Sequence, residues 1–145
     1  MMLETPLTTV AHTIQLSVAP VFLLTALGTF LAVLSTRLGR IVDRARVLGE
    51  RAGKIEPAQQ GALHAELHLL ARRRHLVNMA ITCGVTAALL VCTIISSLFL
   101  GSILGANVSW LTALLFVAAM LAFTAALLLF LREIVVAVAS VRIDA

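Results

Sequence analysis

Ser35-Thr36-Arg37-Leu38-Gly39-Arg40-Ile41-Val42-Asp43-Arg44-Ala45-Arg46-Val47-Leu48 is the stretch where a long apolar run meets water and turns into a basic amphipathic helix. On its N-terminal side, residues 18–36 carry no charge, and at about 1.5 Å per residue they just cross a hydrocarbon core of about 30 Å. They are read as the first transmembrane span. On its C-terminal side Leu38, Ile41, Val42, Ala45, Leu48 and Ala52 keep a helical period, while Arg37, Arg40, Arg44 and Arg51 share the polar side. Nothing before Gly53 stops the helix, so the span is expected to continue into water.

The composition agrees with this reading. Hydrophobic residues make up 61% of the 145 positions and charged residues 12%, and the mean hydropathy of +1.06 lies outside the range of soluble domains. The net charge of +4 is not the mark of a nucleic-acid binder, because all eleven Lys and Arg sit beside apolar spans, at or beyond Arg37. Cys83 and Cys92 share one apolar segment and stand too far apart on a single helix to bridge, so free thiols are expected. The N-terminus has no positive region before its first apolar stretch and no small-residue cleavage site, so no removable signal peptide is expected.

Upstream of the first span, Thr5-Pro6 is a plausible helix start. In residues 5–17, Leu7, Val10, Ala11 and Ile14, followed by Val18, recur at helical spacing, which predicts an amphipathic lead-in at the outer interface, with Pro20 as a kink or joint. Gln15 is expected to satisfy a backbone carbonyl freed by that proline, or a neighbouring helix.

Downstream, Gly53 and Glu56-Pro57 supply a stop and a restart. Leu63, Leu67, Leu70 and Val77 then form a second apolar stripe, so residues 37–75 are expected to fold as a cytoplasmic antiparallel helical hairpin. Pairs of Asp43 with Arg46, and of Glu50 with Arg46 or Lys54, would each add about 0.2 to 0.5 kcal/mol. Residues 76–100 form a second span. Ser109 caps the third, Trp110 anchors it at the outer interface, and residues 110–131 complete it. Residues 132–145 are a tail carrying Arg132 and Arg142, with Ile134, Val135 and Val138 offered as a face toward the hairpin.

The predicted fold is therefore an all-α membrane protein of three transmembrane helices, its hairpin made from extensions of the first and second spans. The basic residues flank only one side of these spans. The positive-inside rule then puts the N-terminus outside, and the hairpin and C-terminus in the cytoplasm.

Three groups of side chains are candidate sites. Asn78, Thr82, Thr86, Thr93 and Ser97 fall on roughly one side of the second span. They could line a water-filled path in an oligomer, or satisfy their own backbone and glue helices together. Arg37, Arg40, Arg44, Arg72, Arg73 and Arg74 form a collar at the inner interface, which would attract anionic lipid at about 1 kcal/mol per residue or rim an inner pore mouth. His64 and His68 stand one turn apart, with His75 near the same line. They are a weak metal candidate, because no third ligand lies at local spacing, and a solvated flank is the expected role.

Small residues at Gly28 and Ala32, at Gly84 and Ala88, and at Ala118, Ala122 and Ala126 allow close helix approach, expected between copies in a homo-oligomer, with close packing inside one chain as the alternative. The chain has no glycine-rich phosphate loop, no activated nucleophile and no paired carboxylates within a span, so neither an enzyme nor a cofactor is expected. The spans also lack the ionisable residue that a proton-coupled transporter would need.

The segments Ile14-Gln15-Leu16-Ser17-Val18-Ala19-Pro20-Val21-Phe22-Leu23-Leu24 and Thr36-Arg37-Leu38-Gly39-Arg40-Ile41-Val42-Asp43-Arg44-Ala45-Arg46 resemble a bacterial membrane family, domain of unknown function 2721. The resemblance covers nearly the whole chain. It implies a small bacterial integral membrane protein, for which the inner (cytoplasmic) membrane is the expected location, and it brings no activity or ligand with it. Two functions follow as expectations: an oligomeric channel for an ion or small solute, or a non-conducting scaffold whose basic hairpin binds anionic lipid or a cytoplasmic partner.

Overall fold

The computed structural model describes residues 6–53 and 56–141, with side chains over 7–53 and 56–139. Thr5, Lys54 and Arg142 lie outside the described residues. The chain is an all-helical membrane protein: α1 (Pro6–Ala52), a 3-10 turn (Pro57–Gln59), α2 (Gln60–Leu104) and α3 (Ser109–Val141), with no strand among the described residues. All three α-helices are long and apolar enough to cross a membrane, and only 17%, 22% and 11% of their most apolar windows are buried. Few of the side chains in these windows are therefore buried within the chain, as lipid allows.

Burial along each helix repeats every seven residues: Thr13, Pro20, Leu27, Leu34, Ile41 and Leu48 in α1; Leu63, Leu70, Val77, Gly84 and Val91, with Ala80, Ala87 and Ile94, in α2; and Ala119, Ala126 and Glu133 in α3. A seven-residue repeat is the mark of left-handed, coiled-coil-type packing. In α1 it runs through Pro20 without interrupting the helix.

In the first turns of α1 the repeat turns small hydroxyl side chains inward. Thr13 and Ser17 are buried, whereas Leu7, Val10, Ile14 and Val18 are exposed. The buried hydroxyls need no outside partner, because Thr13 Oγ1 donates to the Thr9 carbonyl at 3.0 Å and Ser17 Oγ to the Ile14 carbonyl at 2.8 Å. Small self-satisfied groups pack inward while larger apolar ones turn out. Gln15 lies exposed.

Two compact units result. The first takes α1 up to Phe30 together with residues 83–124. Its core is Leu27, Ala87, Val91, Ile94 and Ala119. Phe30 meets Phe123 edge-on, with ring centroids 5.6 Å apart, and the Ser97 and Thr112 hydroxyls stand 3.4 Å apart between α2 and α3. α2 ends in a Schellman-type cap: Gly105 takes φ +63°, and the Ala106 N–H donates to the Gly101 carbonyl at 3.1 Å. A Cβ on Gly101 would come within 2.5 Å of Val108 Cγ2, so the close return of the chain requires glycine there. Ser109 is the first residue of α3 and does not cap it. Its N–H donates instead to Asn107 Oδ1 at 3.2 Å, because an asparagine two residues earlier forms an Asx turn.

The second unit takes residues 31–82 with those from 125 onward. Leu34, Ile41 and Leu48 of α1, Leu63, Leu70, Val77 and Ala80 of α2, and Ala126 of α3 are its buried apolar side chains. Glu56 is extended ahead of Pro57, and its carbonyl accepts the Gln59 N–H at 3.0 Å. Among the described residues neither Asp43 nor Glu50 joins an ion pair. In this unit an ion pair instead links Arg44 of α1 to Glu66 of α2. Ile134 is half-buried while Val135 and Val138 stay exposed, and α3 turns Glu133 inward.

Candidate anion site at the arginine layer

In α3 the seven-residue repeat places Glu133 where an apolar side chain would otherwise stand, one heptad after Ala126. Arg37 follows buried Leu34 by three residues in α1, and Arg73 follows buried Leu70 by three in α2. Both therefore face the same layer. The Glu133 side chain is 0% exposed, with Arg37 at 38% and Arg73 at 22%. Arg37 Nη1 donates to Glu133 Oε2 at 2.8 Å, and Arg73 donates to Oε1 from Nε at 3.2 Å and from Nη2 at 2.9 Å. One carboxylate thus uses both oxygens to hold two guanidiniums. Arg37 is held further by the Phe130 ring, whose centroid lies 5.1 Å from its Cζ.

Burying a lone carboxylate is prohibitive, whereas one with charge-assisted hydrogen bonds to both oxygens is satisfied. Glu133 therefore depends on the arginines more than they depend on it. Arg44, in contrast, meets Glu66 where both are half exposed, with Nε 3.1 Å and Nη2 2.8 Å from Oε1. A pair in that setting contributes between about 0 and 1 kcal/mol.

Arg37, Arg40, Arg44 and Arg73, with Ile41 and Leu70, line a half-open cleft of about 270 Å³. Four guanidiniums against the carboxylates of Glu133 and Glu66 leave two net positive charges. Arg40 has no ion-pair partner among the described residues, so its donors are available. The arrangement can hold an anion of two charges with several charge-assisted hydrogen bonds.

The six-arginine collar thus divides. Arg37, Arg40, Arg44 and Arg73 line the cleft, while Arg72 and Arg74 are exposed outside it. In the polar stripe Asn78, Thr82, Thr86 and Thr93 lie on the exposed side of α2 and Ser97 is half-buried. Thr82, Thr93 and Ser97 donate to the Asn78, Leu89 and Ile94 carbonyls at 3.0, 2.9 and 2.8 Å. His64 Nδ1 donates to the Gln60 carbonyl at 2.7 Å, and His68 is exposed. Among the described residues no group of three His, Cys, Asp or Glu comes together. Glu133, Glu66 and Phe130 are the site residues that the sequence reading missed. The available signal was the seven-residue step from Ala119 through Ala126 to Glu133, the single acidic residue of α3.

A model of the family described as protein of unknown function (DUF2721) matches residues 17–143. The chain belongs to this family. No curated protein and no solved structure matches it. The DUF2721 match spans all four cleft arginines, Glu66, Phe130 and Glu133, so the layer lies within the family domain.

Proposed function

We propose that this DUF2721 protein is a non-conducting protein of the bacterial inner membrane whose basic arm holds anionic lipid headgroups at the cytoplasmic leaflet. The cleft with two net positive charges carries this reading. Topology supports it: Lys and Arg cluster beside one end of the apolar spans, which the positive-inside rule assigns to the cytoplasm, leaving the N-terminus outside. The arm made of the ends of α1 and α2 is then a cytoplasmic helical hairpin. A lipid that binds only the folded protein stabilises it by mass action. Phosphatidylglycerol should therefore raise the melting midpoint of the detergent-solubilised protein above the value in phosphatidylcholine at equal concentration. Equal midpoints in the two lipids would count against the reading.

A second reading, a homo-oligomeric channel, is favoured by one observation. Asn78, Thr82, Thr86 and Thr93 sit on an exposed side of a membrane-spanning helix, and Gly28 and Ala32 are also exposed. Covering such a surface with further copies of the chain would remove polar groups from lipid. If the stripe faced a shared axis, liposomes holding the protein would pass an ion or small solute and Thr86→Trp would block the flux. No flux across a broad panel of ions leaves the scaffold reading alone.

A further inference from the structure

We infer that the cleft of Arg37, Arg40, Arg44 and Arg73 is one discrete, saturable site for a phosphomonoester dianion, and not merely the densest part of a diffuse basic collar. This deepens the lipid-binding reading and rests on it.

The carboxylates leave a defined set of donors. Glu133 takes Nη1 of Arg37 and the Nε and Nη2 edge of Arg73, and Glu66 takes the Nε and Nη2 edge of Arg44. Nη1 of Arg73 and of Arg44, Nε and Nη2 of Arg37, and the whole guanidinium of Arg40 are left over for a ligand. A guanidinium is planar, so fixing one edge fixes the direction of the others. Glu133 and Phe130 thus hold Arg37, and Glu133 holds Arg73, before any ligand arrives.

Charge sets the ligand class. Two net positive charges match a phosphate carrying two negative charges, whereas a single phosphodiester leaves one of them uncompensated. Size agrees: about 270 Å³ falls below the range of about 300 to 1,000 Å³ typical of pockets for whole drug-sized ligands, and suits a headgroup. Ile41 and Leu70, 4% and 6% exposed, form an apolar floor with no acidic side chain. Charge-assisted hydrogen bonds gain strength beside such a surface.

Arg72 and Arg74 supply a charge-matched control. Arg40→Gln with Arg44→Gln removes two positive charges from the cleft, and Arg72→Gln with Arg74→Gln removes two from outside it. None of the four contacts Glu133, so all the variants should fold, which their gel-filtration profiles would verify. The full-length protein in detergent is titrated with dioctanoyl phosphatidate, dioctanoyl phosphatidylglycerol, dioctanoyl phosphatidylcholine and inorganic phosphate, and bound ligands are counted by native mass spectrometry. At pH 8 a phosphomonoester, with a second pKa near about 6, is dianionic.

The expected result is one phosphatidate per chain, bound about tenfold or more tighter than phosphatidylglycerol, with the cleft pair weakening it by at least about tenfold and the outer pair by no more than about twofold. If inorganic phosphate competes and phosphatidate binds no tighter than it, the cleft is a site for free phosphate and the phosphomonoester assignment is overturned together with the lipid reading of the cleft; phosphatidate bound tighter than inorganic phosphate supports a lipid site. Equal weakening by the two pairs, or phosphatidylglycerol bound as tightly as phosphatidate, overturns the discrete site while leaving the lipid-binding reading standing. Phosphatidylglycerol bound no better than phosphatidylcholine, with no phosphatidate bound, overturns both.

Discussion

Replacing Arg37 and Arg73 together by alanine is expected to lower the unfolding free energy by about 3 to 5 kcal/mol, the usual loss when a buried charge is stripped of its partners. Glu133 is fully buried, and both of its oxygens are satisfied by these two side chains. No other ion-pair partner stands beside it among the described residues. Either single alanine variant should lose clearly less, because one guanidinium remains. Replacing the three together by apolar residues of similar volume, as Arg37→Met, Arg73→Met and Glu133→Leu, is expected to restore most of the stability, since an apolar replacement leaves no charge to desolvate. Arg44→Ala with Glu66→Ala serves as the surface comparison and should shift stability by at most about 1 kcal/mol. Unfolding by sodium dodecyl sulfate in mixed micelles, followed by circular dichroism, measures all of these. If the double arginine variant matched wild type, the layer would have no structural role.

The second large effect concerns the alanines of the other unit. Ala87 is fully buried in the cluster of Leu27, Val91, Ile94 and Ala119. Where helices pack inside lipid, small residues let the backbones approach, and that closeness rather than exclusion of water supplies the attraction. Ala87→Leu adds three carbons to a filled space and is expected to cost about 1 to 3 kcal/mol. Ala26→Leu, on the exposed side of α1, should stay within about 0.5 kcal/mol of wild type. The same unfolding titration checks the pair. Equal effects at the two positions would mean that the cluster is loosely packed.

These two sites also show what the sequence could and could not disclose. On the arm, Ile41, Leu48, Leu63 and Leu70 are buried where their period places them, because charged neighbours mark the opposite side. Within the spans that contrast disappears. Lipid accepts exposed leucine and valine, so hydropathy does not separate Leu27, fully buried, from Phe22, 72% exposed. For the same reason nothing in the hydropathy of the first turns marks Thr13 and Ser17 as the residues that pack inward. The arginine layer was half legible. Arg37, Arg40, Arg44 and Arg73 stand at the ends of apolar runs, but three consecutive residues on a helix point about 100° apart, and only Arg73 of its triplet lines the cleft. Glu133, next to Arg132, reads as part of a charged flank. Its burial follows from the seven-residue repeat, a register that becomes meaningful once Ala119 and Ala126 are known to be buried.

Whether Glu133 and the arginines act as one unit is tested most directly by a double-mutant cycle on Arg73→Ala and Glu133→Gln, with unfolding free energies measured for wild type, both single variants and the double. A coupling of about 1 to 3 kcal/mol is predicted, as for side chains sharing one buried network. Additivity to within about 0.5 kcal/mol, the behaviour of residues that do not interact, would contradict it.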